Sequence, residues 1–212
     1  MKSARAPATL AVVDMGSNSF RLEVGRVEGD QIYRLDTQRE MLRIGAGLDD
    51  RGNLTPDARR LALACLARFA ERLAGFHPSA VRAVATNTFR VARNARAFLA
   101  RAERTLGFPI DVISGHEEAR LIYVGVAHLL PSGTEPRLVV DIGGGSTEFI
   151  IGRGLEPQML ESLKIGCVGM SQRFFADGAL TADAFDEAET AARAEIEAIA
   201  RDFDSGHWRD AF

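Results

Sequence analysis

The chain has 212 residues, of which 46% are hydrophobic and 26% are charged, an ordinary balance for a globular protein that buries a core. Its net charge of −3 provides no overall positive field for a polyanion, so any attraction for phosphate has to be local. Two cysteines in a chain of this length do not make a disulfide framework, and no stretch approaches the roughly 18 apolar residues that span a membrane. We therefore expect a cytoplasmic protein that acts away from membranes.

The chain opens with a short basic segment, residues 1–7, which we expect to be a frayed leader. An apolar segment follows and ends at Asp14, after which the run Gly16-Ser17-Asn18-Ser19 separates it from a second apolar segment. Glycine and serine between two apolar runs are typical of a tight connection between strands. The first elements are therefore predicted to be strand, turn and strand.

Helices and strands then alternate up to about residue 130. Thr55 is placed to cap a long helix that has Pro56 at its first position. The remaining predicted elements are a strand over 81–85, a helix over about 94–106, a short strand over 110–113 and a helix over 114–130. Such alternation is typical of an α/β fold with a mixed sheet.

Residues 139–153 repeat the pattern of residues 12–26. Both segments run from two valines through an aspartate and a small-residue turn to a second strand that ends in Gly-Arg. The likeness continues downstream, where Leu54–Ala58 and Leu180–Ala184 each open a long helix. We therefore predict a duplicated fold, with a first domain over 8–130, a link over 131–136, and over 137–212 the N-terminal part of a second domain whose later elements are missing.

The second turn is the stronger candidate for a phosphate loop. Its three consecutive glycines allow backbone N–H groups to approach an anion closely, and the hydroxyls of Ser146 and Thr147 add hydrogen-bond donors. Asp141, at the end of a strand, suits hydrated Mg²⁺, which prefers one or two carboxylates together with substrate phosphates. A plain hairpin with a glycine turn is the alternative, but the second copy of the motif at Asp14–Ser19 favours a pair of phosphate loops.

Two further segments carry side chains suited to phosphate chemistry. Arg90 follows a predicted strand and lies in the main basic run of the chain. Arg93, three residues later, extends the row of positive charge that could contact phosphate. Ser114 and Glu117 match a capping box, which leaves Glu118 in the first turn of a helix without a structural task and able to orient a water molecule. Solvated side chains are the alternative for both segments, and the helix dipole makes a carboxylate in the first turn a weaker base.

Other patterns do not point to a site. Cys167 and Arg173 have the spacing of thiol phosphatases but lack the preceding histidine, and we expect Cys167 to be a small buried thiol. The four histidines lack metal-ligand spacing, and the chain contains no P-loop nucleotide motif. Aromatic and basic residues are not interleaved as nucleic-acid binding would require.

In chain order, four motifs resemble those of the exopolyphosphatase and guanosine pentaphosphate phosphatase family, which lies in the superfamily of actin-like ATPases, sugar kinases and heat-shock chaperones. They are Asp14–Phe20, Thr86–Arg90, Ile113–Tyr123 and Asp141–Glu148. The resemblance implies two ribonuclease-H-like (actin-like ATPase) domains with mixed sheets. In that family a further glycine-rich loop follows close after the position of Phe212, so we expect the chain to be a fragment or a shortened relative of a longer protein.

The resemblance also implies an activity: removal of terminal phosphate from polyphosphate, or of the 5′ phosphate from guanosine pentaphosphate, by in-line attack of water. Mg²⁺ is the expected cofactor, with a monovalent cation such as K⁺ as a second candidate, and homodimers are expected of the full-length protein. We expect Glu118 to be catalytic and Asp141, Asp14 and Glu148 to bind the metal. The expected substrate-phosphate ligands are Asp14, Gly16, Ser17, Asn18, Ser19, Arg90, Arg93, Gly143, Gly144, Gly145, Ser146 and Thr147.

Two other functions are compatible with the same loops. A kinase or ATPase of the same superfamily would transfer phosphate, and it would form ATP from polyphosphate and ADP. A non-catalytic sensor would bind polyphosphate or an alarmone tightly and show no turnover at any Mg²⁺ concentration.

Overall fold

The structure is a computed structural model that describes residues 8–29, 31–131 and 133–212. The expected leader, 1–7, lies outside the described residues. The chain divides into two compact units, a first unit that ends at Val112 and a second unit that begins at Ile113. No described helix is both long enough and apolar enough to cross a membrane.

The first unit is built on a five-stranded mixed sheet. Its strands are β1 (Ala8–Met15), β2 (Ser19–Glu28), β3 (Gln31–Met41), β4 (Val81–Ala85) and β5 (Ile110–Val112). They lie in the order β3-β2-β1-β4-β5; β1, β2 and β3 are antiparallel neighbours, whereas β4 runs parallel to both β1 and β5. The helices are α1 (Pro56–Arg72), α2 (Asn87–Val91) and α3 (Ala95–Leu106), with 3₁₀ turns over Ile44–Gly47 and Pro78–Ala80.

Strand alternation explains the core of the first unit. Side chains point to opposite faces at successive strand positions, and Val13, Leu22 and Ala83 all belong to the face that packs with α1 and α3. Leu66 of α1 and Phe98 of α3 are buried in the same core. Each such large apolar side chain contributes about 1.5–3 kcal/mol when it is fully buried, so this contact holds the helices on the sheet.

The second unit has a four-stranded sheet with apolar clusters on both faces. Its elements are α4 (Gly115–Leu129), β6 (Arg137–Ile142), β7 (Thr147–Arg153), β8 (Glu156–Leu163), α5 (Cys167–Phe174), α6 (Ala182–Glu197) and β9 (Asp210–Ala211). The strands lie in the order β8-β7-β6-β9. Tyr123 of α4 packs on one face with Val139 and Ile150, and Phe203 packs on the other with Leu138.

The two sheets confirm the predicted duplication. In each unit the first three strands form an antiparallel meander and the next strand pairs in parallel with the first, as in a ribonuclease-H-like domain. The register of the second and third strands shifts between Val24 and Gly25 in one copy and between Ile151 and Gly152 in the other. These are equivalent positions of the sequence repeat, so even the irregularity of the sheet recurs.

The compact units differ from the predicted domains, 8–130 and 137–212, in the placement of α4. This helix packs on β7 and β8 of the second unit, because Ala119, Tyr123 and Ala127 share an apolar cluster with strand residues there. The second copy also continues past its long helix into the short strand β9, whose neighbour Phe212 donates its N–H to the carbonyl of Leu138.

The predicted helix starts at Thr55, Ser114 and Thr181 are confirmed. Each hydroxyl accepts a hydrogen bond from the backbone N–H three residues on, at 3.3, 3.1 and 3.2 Å respectively. The capping box at Ser114 is only half formed, because the carboxylate of Glu117 binds Arg120 through both of its oxygens. That pairing also lowers the pKa of Glu117.

Candidate active site

The first predicted phosphate loop, Asp14–Ser19, is closed by its own backbone and braced by the segments around it. The N–H of Gly16 donates to the carbonyl of Ser19 at 3.1 Å, and the N–H of Gly45 donates to the carbonyl of Ser17 at 2.8 Å. The buried hydroxyl of Thr88 donates to the Ser17 hydroxyl at 2.7 Å. The Ser17 hydroxyl therefore still has its own proton to donate to a ligand.

The two predicted arginines of the first unit differ in their relation to this loop. Arg90 is half-buried in α2, two residues after Thr88, and so belongs to the segment that holds Ser17. Arg93 is exposed and lies in the turn before α3, where its N–H donates to the carbonyl of Gly52 at 2.9 Å. Arg90 thus shares α2 with Thr88, which is hydrogen-bonded to the first loop, whereas Arg93 is a surface residue of the same unit.

The second phosphate loop, Asp141–Thr147, repeats the internal bond of the first. The N–H of Gly143 donates to the carbonyl of Ser146 at 2.9 Å. The start of α5 is tied to the loop, because the N–H groups of Cys167 and Val168 donate to the carbonyls of Gly143 and Gly144. These bonds fix the course of the glycine backbone.

Gly166, which immediately precedes α5, packs against the second loop so closely that a side chain does not fit. A Cβ atom at this position would lie 2.5 Å from the nitrogen of Gly145 and 2.6 Å from the carbonyl of Gly144. Cys167 follows at the first position of the helix and is exposed. The expectation of a buried thiol was therefore wrong, because the close contact of Gly166 with the loop turns the next residue outward.

The two hydroxyls of the second loop are engaged within the protein. Thr147 donates its hydroxyl proton to the carbonyl of Ile165 at 2.6 Å. A hydroxyl has one proton, so the Thr147 side chain anchors the loop in this structure and is not the phosphate donor that the sequence indicated. The Ser146 side chain is hydrogen-bonded to the carboxyl group of Glu148.

Three carboxyl groups gather on the face of the second sheet that carries α4. Asp141 and Glu148 are direct cross-strand partners on β6 and β7. Each lies two residues from a strand residue that packs against α4, so both project to that face. Glu118 lies in the first turn of α4, and its negative charge acts on Glu148. The predicted catalytic and metal-binding residues of the second unit are therefore brought together.

Glu148 carries the clearest electrostatic signature of the site. The residue is only 1% exposed, and burial is the main reason that its pKa rises to about 7. The charges of Glu118 and Asp141 raise its pKa further, whereas hydrogen bonds from Ser146 and Ser162 oppose the rise. Asp141 is exposed at the strand end, yet desolvation by the protein around its carboxyl group also raises its pKa.

Ser162 is a site residue that the sequence motifs did not reveal. It is the partner of Glu148 on β8, and its hydroxyl donates to Oε1 of Glu148 at 2.8 Å. A row of polar side chains, Asp141, Glu148 and Ser162, thus crosses three strands beside the apolar row that packs on α4. The alternation along β8 would have placed Ser162 on this face once the register of the strands was known.

The donor set fits a hard divalent cation. Asp141 and Glu148 carry carboxyl groups on adjacent strands, and burial raises the pKa of each, so a bound cation is favoured there. Mg²⁺ takes one or two carboxylates together with waters and phosphate oxygens. Within the described residues, no group of three or more His, Cys, Asp or Glu side chains forms a metal cage. The arrangement suits an ion whose remaining ligands come from substrate and water.

Comparison with known proteins shows which family the chain resembles. The family model for the Ppx/GppA phosphatase family matches residues 24–212. The crystal structure of an exopolyphosphatase-like protein is 31% identical, has a TM-score of 0.89, and covers 98% of this chain and 66% of that one. The Ppx/GppA enzyme of Aquifex aeolicus is 30% identical, has a TM-score of 0.73, and covers 92% of this chain and 64% of its own.

An exopolyphosphatase from Cytophaga hutchinsonii is also similar, at 31% identity and a TM-score of 0.71, and covers 82% of this chain and 54% of its own. The present chain therefore spans 54–66% of the length of these three relatives. The matches confirm the predicted α/β class and its duplicated ribonuclease-H-like architecture. By its sequence, its fold and the motifs at both loops, the chain belongs to the Ppx/GppA phosphatase family.

Proposed function

We propose that the chain carries the hydrolytic centre of an enzyme that removes terminal phosphate from a phosphoanhydride, either inorganic polyphosphate or guanosine pentaphosphate. The observation that carries this proposal is the placement of Glu118, Asp141 and Glu148 on one face of the second sheet, next to a glycine loop. Family membership and the exopolyphosphatase relatives support the substrate class.

Within the second unit, Glu118 is the proposed base. It lies in the first turn of α4, which packs on β7 and β8, so its position relative to the second loop is held by a helix and not by a mobile segment. Its role is to orient the attacking water in line with the leaving oxygen and to take up the proton that water loses. The loop N–H groups hold the oxygens of the terminal phosphate.

Asp141 and Glu148 are the proposed ligands of Mg²⁺. When bound, the ion neutralises charge that develops on the phosphate oxygens. Ser146 and Ser162 hydrogen-bond to Glu148 and so keep its carboxyl group oriented on the face that carries Glu118. The raised pKa of Glu148 indicates that this carboxylate is poorly stabilised by the protein alone, which favours a cation there.

The first unit supplies the proposed phosphate-binding groups. Ser17 retains a hydroxyl proton for a ligand, and Arg90 provides positive charge beside the segment that holds Ser17. Guanidinium groups bind phosphate oxygens through paired, charge-assisted hydrogen bonds. Ser17 and Arg90 are therefore the proposed ligands of phosphate oxygens within the first unit.

The test is phosphate release by the purified chain from polyphosphate and, separately, from guanosine pentaphosphate over a range of Mg²⁺ concentrations. Mg²⁺-dependent release from either substrate is expected, and the preferred one identifies the substrate. ATP formation from polyphosphate and ADP would instead show a transferase. Tight binding of both substrates without turnover at any Mg²⁺ concentration would show a sensor.

A further inference from the structure

Arg43 has a backbone conformation that a residue with a long side chain rarely adopts. Its φ of 49° and ψ of 44° are left-handed, and it is the one described residue other than glycine with a positive φ. Left-handed backbone brings Cβ too close to the following carbonyl oxygen, so this conformation costs energy. Strain of this kind persists where the surroundings hold it, and it is found most often at ligand sites.

The first phosphate loop holds Arg43 in this conformation. The N–H groups of Leu42 and Arg43 both donate to the carbonyl of Asn18, at 3.0 and 2.8 Å. Two residues on, the N–H of Gly45 donates to the carbonyl of Ser17. These hydrogen bonds therefore fix the backbone of Arg43 directly beside Asn18, a central residue of the loop.

The duplicated fold shows what Arg43 replaces. In the first copy the N–H of Gly45 donates to the carbonyl of Ser17, and in the second copy the N–H of Val168 donates to the carbonyl of Gly144. These two bonds are equivalent. Arg43 and Gly166 each lie two residues before the donor, so Gly166 is the counterpart of Arg43. Gly166 lies against its loop with no room for a Cβ atom, and its backbone is extended, with a φ of −154°. Arg43 takes a different backbone conformation at the same place, and it carries a charged side chain where the second copy has a glycine.

The charge of Arg43 is not used by the fold. Its side chain is exposed, and among the described residues no acidic group forms an ion pair with it. Other arginines of this unit do have such partners: Arg21 pairs with Glu23, and Arg68 with Glu40. The strained position therefore presents a guanidinium that no described carboxylate neutralises.

We propose that Arg43 is a substrate-binding residue, whose guanidinium contacts an oxyanion of the phosphate chain held at the first loop. This inference rests on the proposed function, because the ligand is the same phosphoanhydride. Arg43 adds a second cation to Arg90 in the first unit. The backbone of Arg43 is hydrogen-bonded to Asn18 of the loop, and Thr88, which shares α2 with Arg90, is hydrogen-bonded to Ser17. The strained backbone of Arg43 then allows a charged side chain at the first loop. The closely packed glycine of the second copy provides no such charge.

The experiment uses glycine as the diagnostic substitution, because Arg43→Gly removes the charge and relieves the backbone strain together. Binding of tripolyphosphate to the whole chain is measured by calorimetry, with and without Mg²⁺, alongside the melting temperature. Arg43→Gly should bind about tenfold more weakly, the loss expected for one charge-assisted hydrogen bond. Its melting temperature should equal or exceed that of the wild type.

Two further variants sharpen the result. Arg43→Lys keeps the charge and should recover part of the affinity. Arg101→Ala removes an exposed arginine on the surface of α3 and should bind tripolyphosphate like the wild type. Together they separate a contact made by Arg43 from a general effect of net charge.

Unchanged affinity in Arg43→Gly would overturn the inference and assign Arg43 a backbone role alone. An equal loss of affinity in Arg101→Ala would also overturn it, since any surface cation would then act in the same way. A wild-type chain that binds tripolyphosphate, loses affinity in Arg43→Gly and yet releases no phosphate would uphold the inference and refute only the proposed hydrolysis.

Discussion

At the scale of single residues, the buried carboxyl group of Glu148 lowers the stability of the second unit. This carboxyl group is buried beside the apolar row that packs on α4, and its neighbours Glu118 and Asp141 are also acidic. Two serine hydroxyls are the hydrogen-bonding partners that oppose the rise of its pKa. A buried carboxyl group with acidic neighbours lowers the stability of the fold, and the proposed role of Glu148 as a metal ligand accounts for its position.

The raised pKa of Glu148 predicts a pH-dependent stability. Its pKa rises from 4.5 to about 7 in the folded chain, so between these values the folded state holds more protons than the unfolded state. Stability of the metal-free protein should therefore fall as pH rises through this window, by at most about 3 kcal/mol from this group. The free energy of unfolding in EDTA, measured from pH 4.5 to 8, checks this.

Glu148→Gln removes the titrating group, so it should stabilise the metal-free protein relative to wild type at pH 8 and much less at pH 5. The same variant should weaken Mg²⁺-dependent activity, because one of the two proposed metal ligands is gone. Glu156→Gln, at an exposed position on β8, is the matched control and should show neither effect. An equal difference between Glu148→Gln and wild type at both pH values would contradict the assignment.

At the scale of elements, the contact between the second loop and α5 holds the proposed phosphate-binding loop in place. Two backbone hydrogen bonds join them, and Gly166 lets the chain approach the loop without a side chain between them. The helix start thereby fixes the conformation of a run of three glycines that would otherwise be free to take many others.

Gly166→Ala should therefore loosen the loop. Its Cβ would meet backbone atoms of Gly144 and Gly145, which cannot move aside as a flexible side chain can. We expect a loss of roughly 1–3 kcal/mol in stability, as for other overpacked positions, and a strong loss of phosphate release. Gly169→Ala is the matched control within α5, where an added Cβ meets nothing within 4 Å, and it should be neutral or slightly stabilising. Equal unfolding midpoints for the two variants would contradict this account.

The elements also show which features can be predicted from the sequence. The caps at Thr55, Ser114 and Thr181 were predictable because a cap joins a side chain to an N–H three residues away. The bond from Thr147 to Ile165 and the packing of Gly166 were not, because they join segments about 20 residues apart in the chain. For the same reason the sequence located the carboxylates at Glu118 and Asp141 but missed Ser162, whose role depends on the register of β8.

At the scale of the whole molecule, the sequence repeat and the compact units do not share a boundary. The repeat assigns residues up to about 130 to the first copy, whereas α4 packs on the sheet of the second unit. A sequence repeat records how the chain was duplicated, but it does not state on which sheet a helix at the junction packs. The consequence is functional, because Glu118 belongs to the same unit as Asp141 and Glu148.

This assignment predicts the behaviour of truncated chains. In the whole chain, amide protons of residues 115–129 should be protected from hydrogen exchange, because the apolar face of α4 is buried against β7 and β8. In a chain that ends at Leu130, the same residues should exchange rapidly, while α1 keeps its protection. Protection of 115–129 in that shorter chain would show that α4 is stabilised by the first unit instead.

The central claim is that Glu118 belongs to a hydrolytic centre, and its neighbour Glu117 offers a direct control. Both lie in the first turn of α4, but Glu117 is bound to Arg120, whereas Glu118 acts electrostatically on Glu148. The measurement is the rate of Mg²⁺-dependent phosphate release from polyphosphate by Glu118→Gln and by Glu117→Gln. We predict a loss of about 10²–10⁴-fold for Glu118→Gln, as for removal of a general base, and little change for Glu117→Gln. Undiminished release by a folded Glu118→Gln variant would contradict the account.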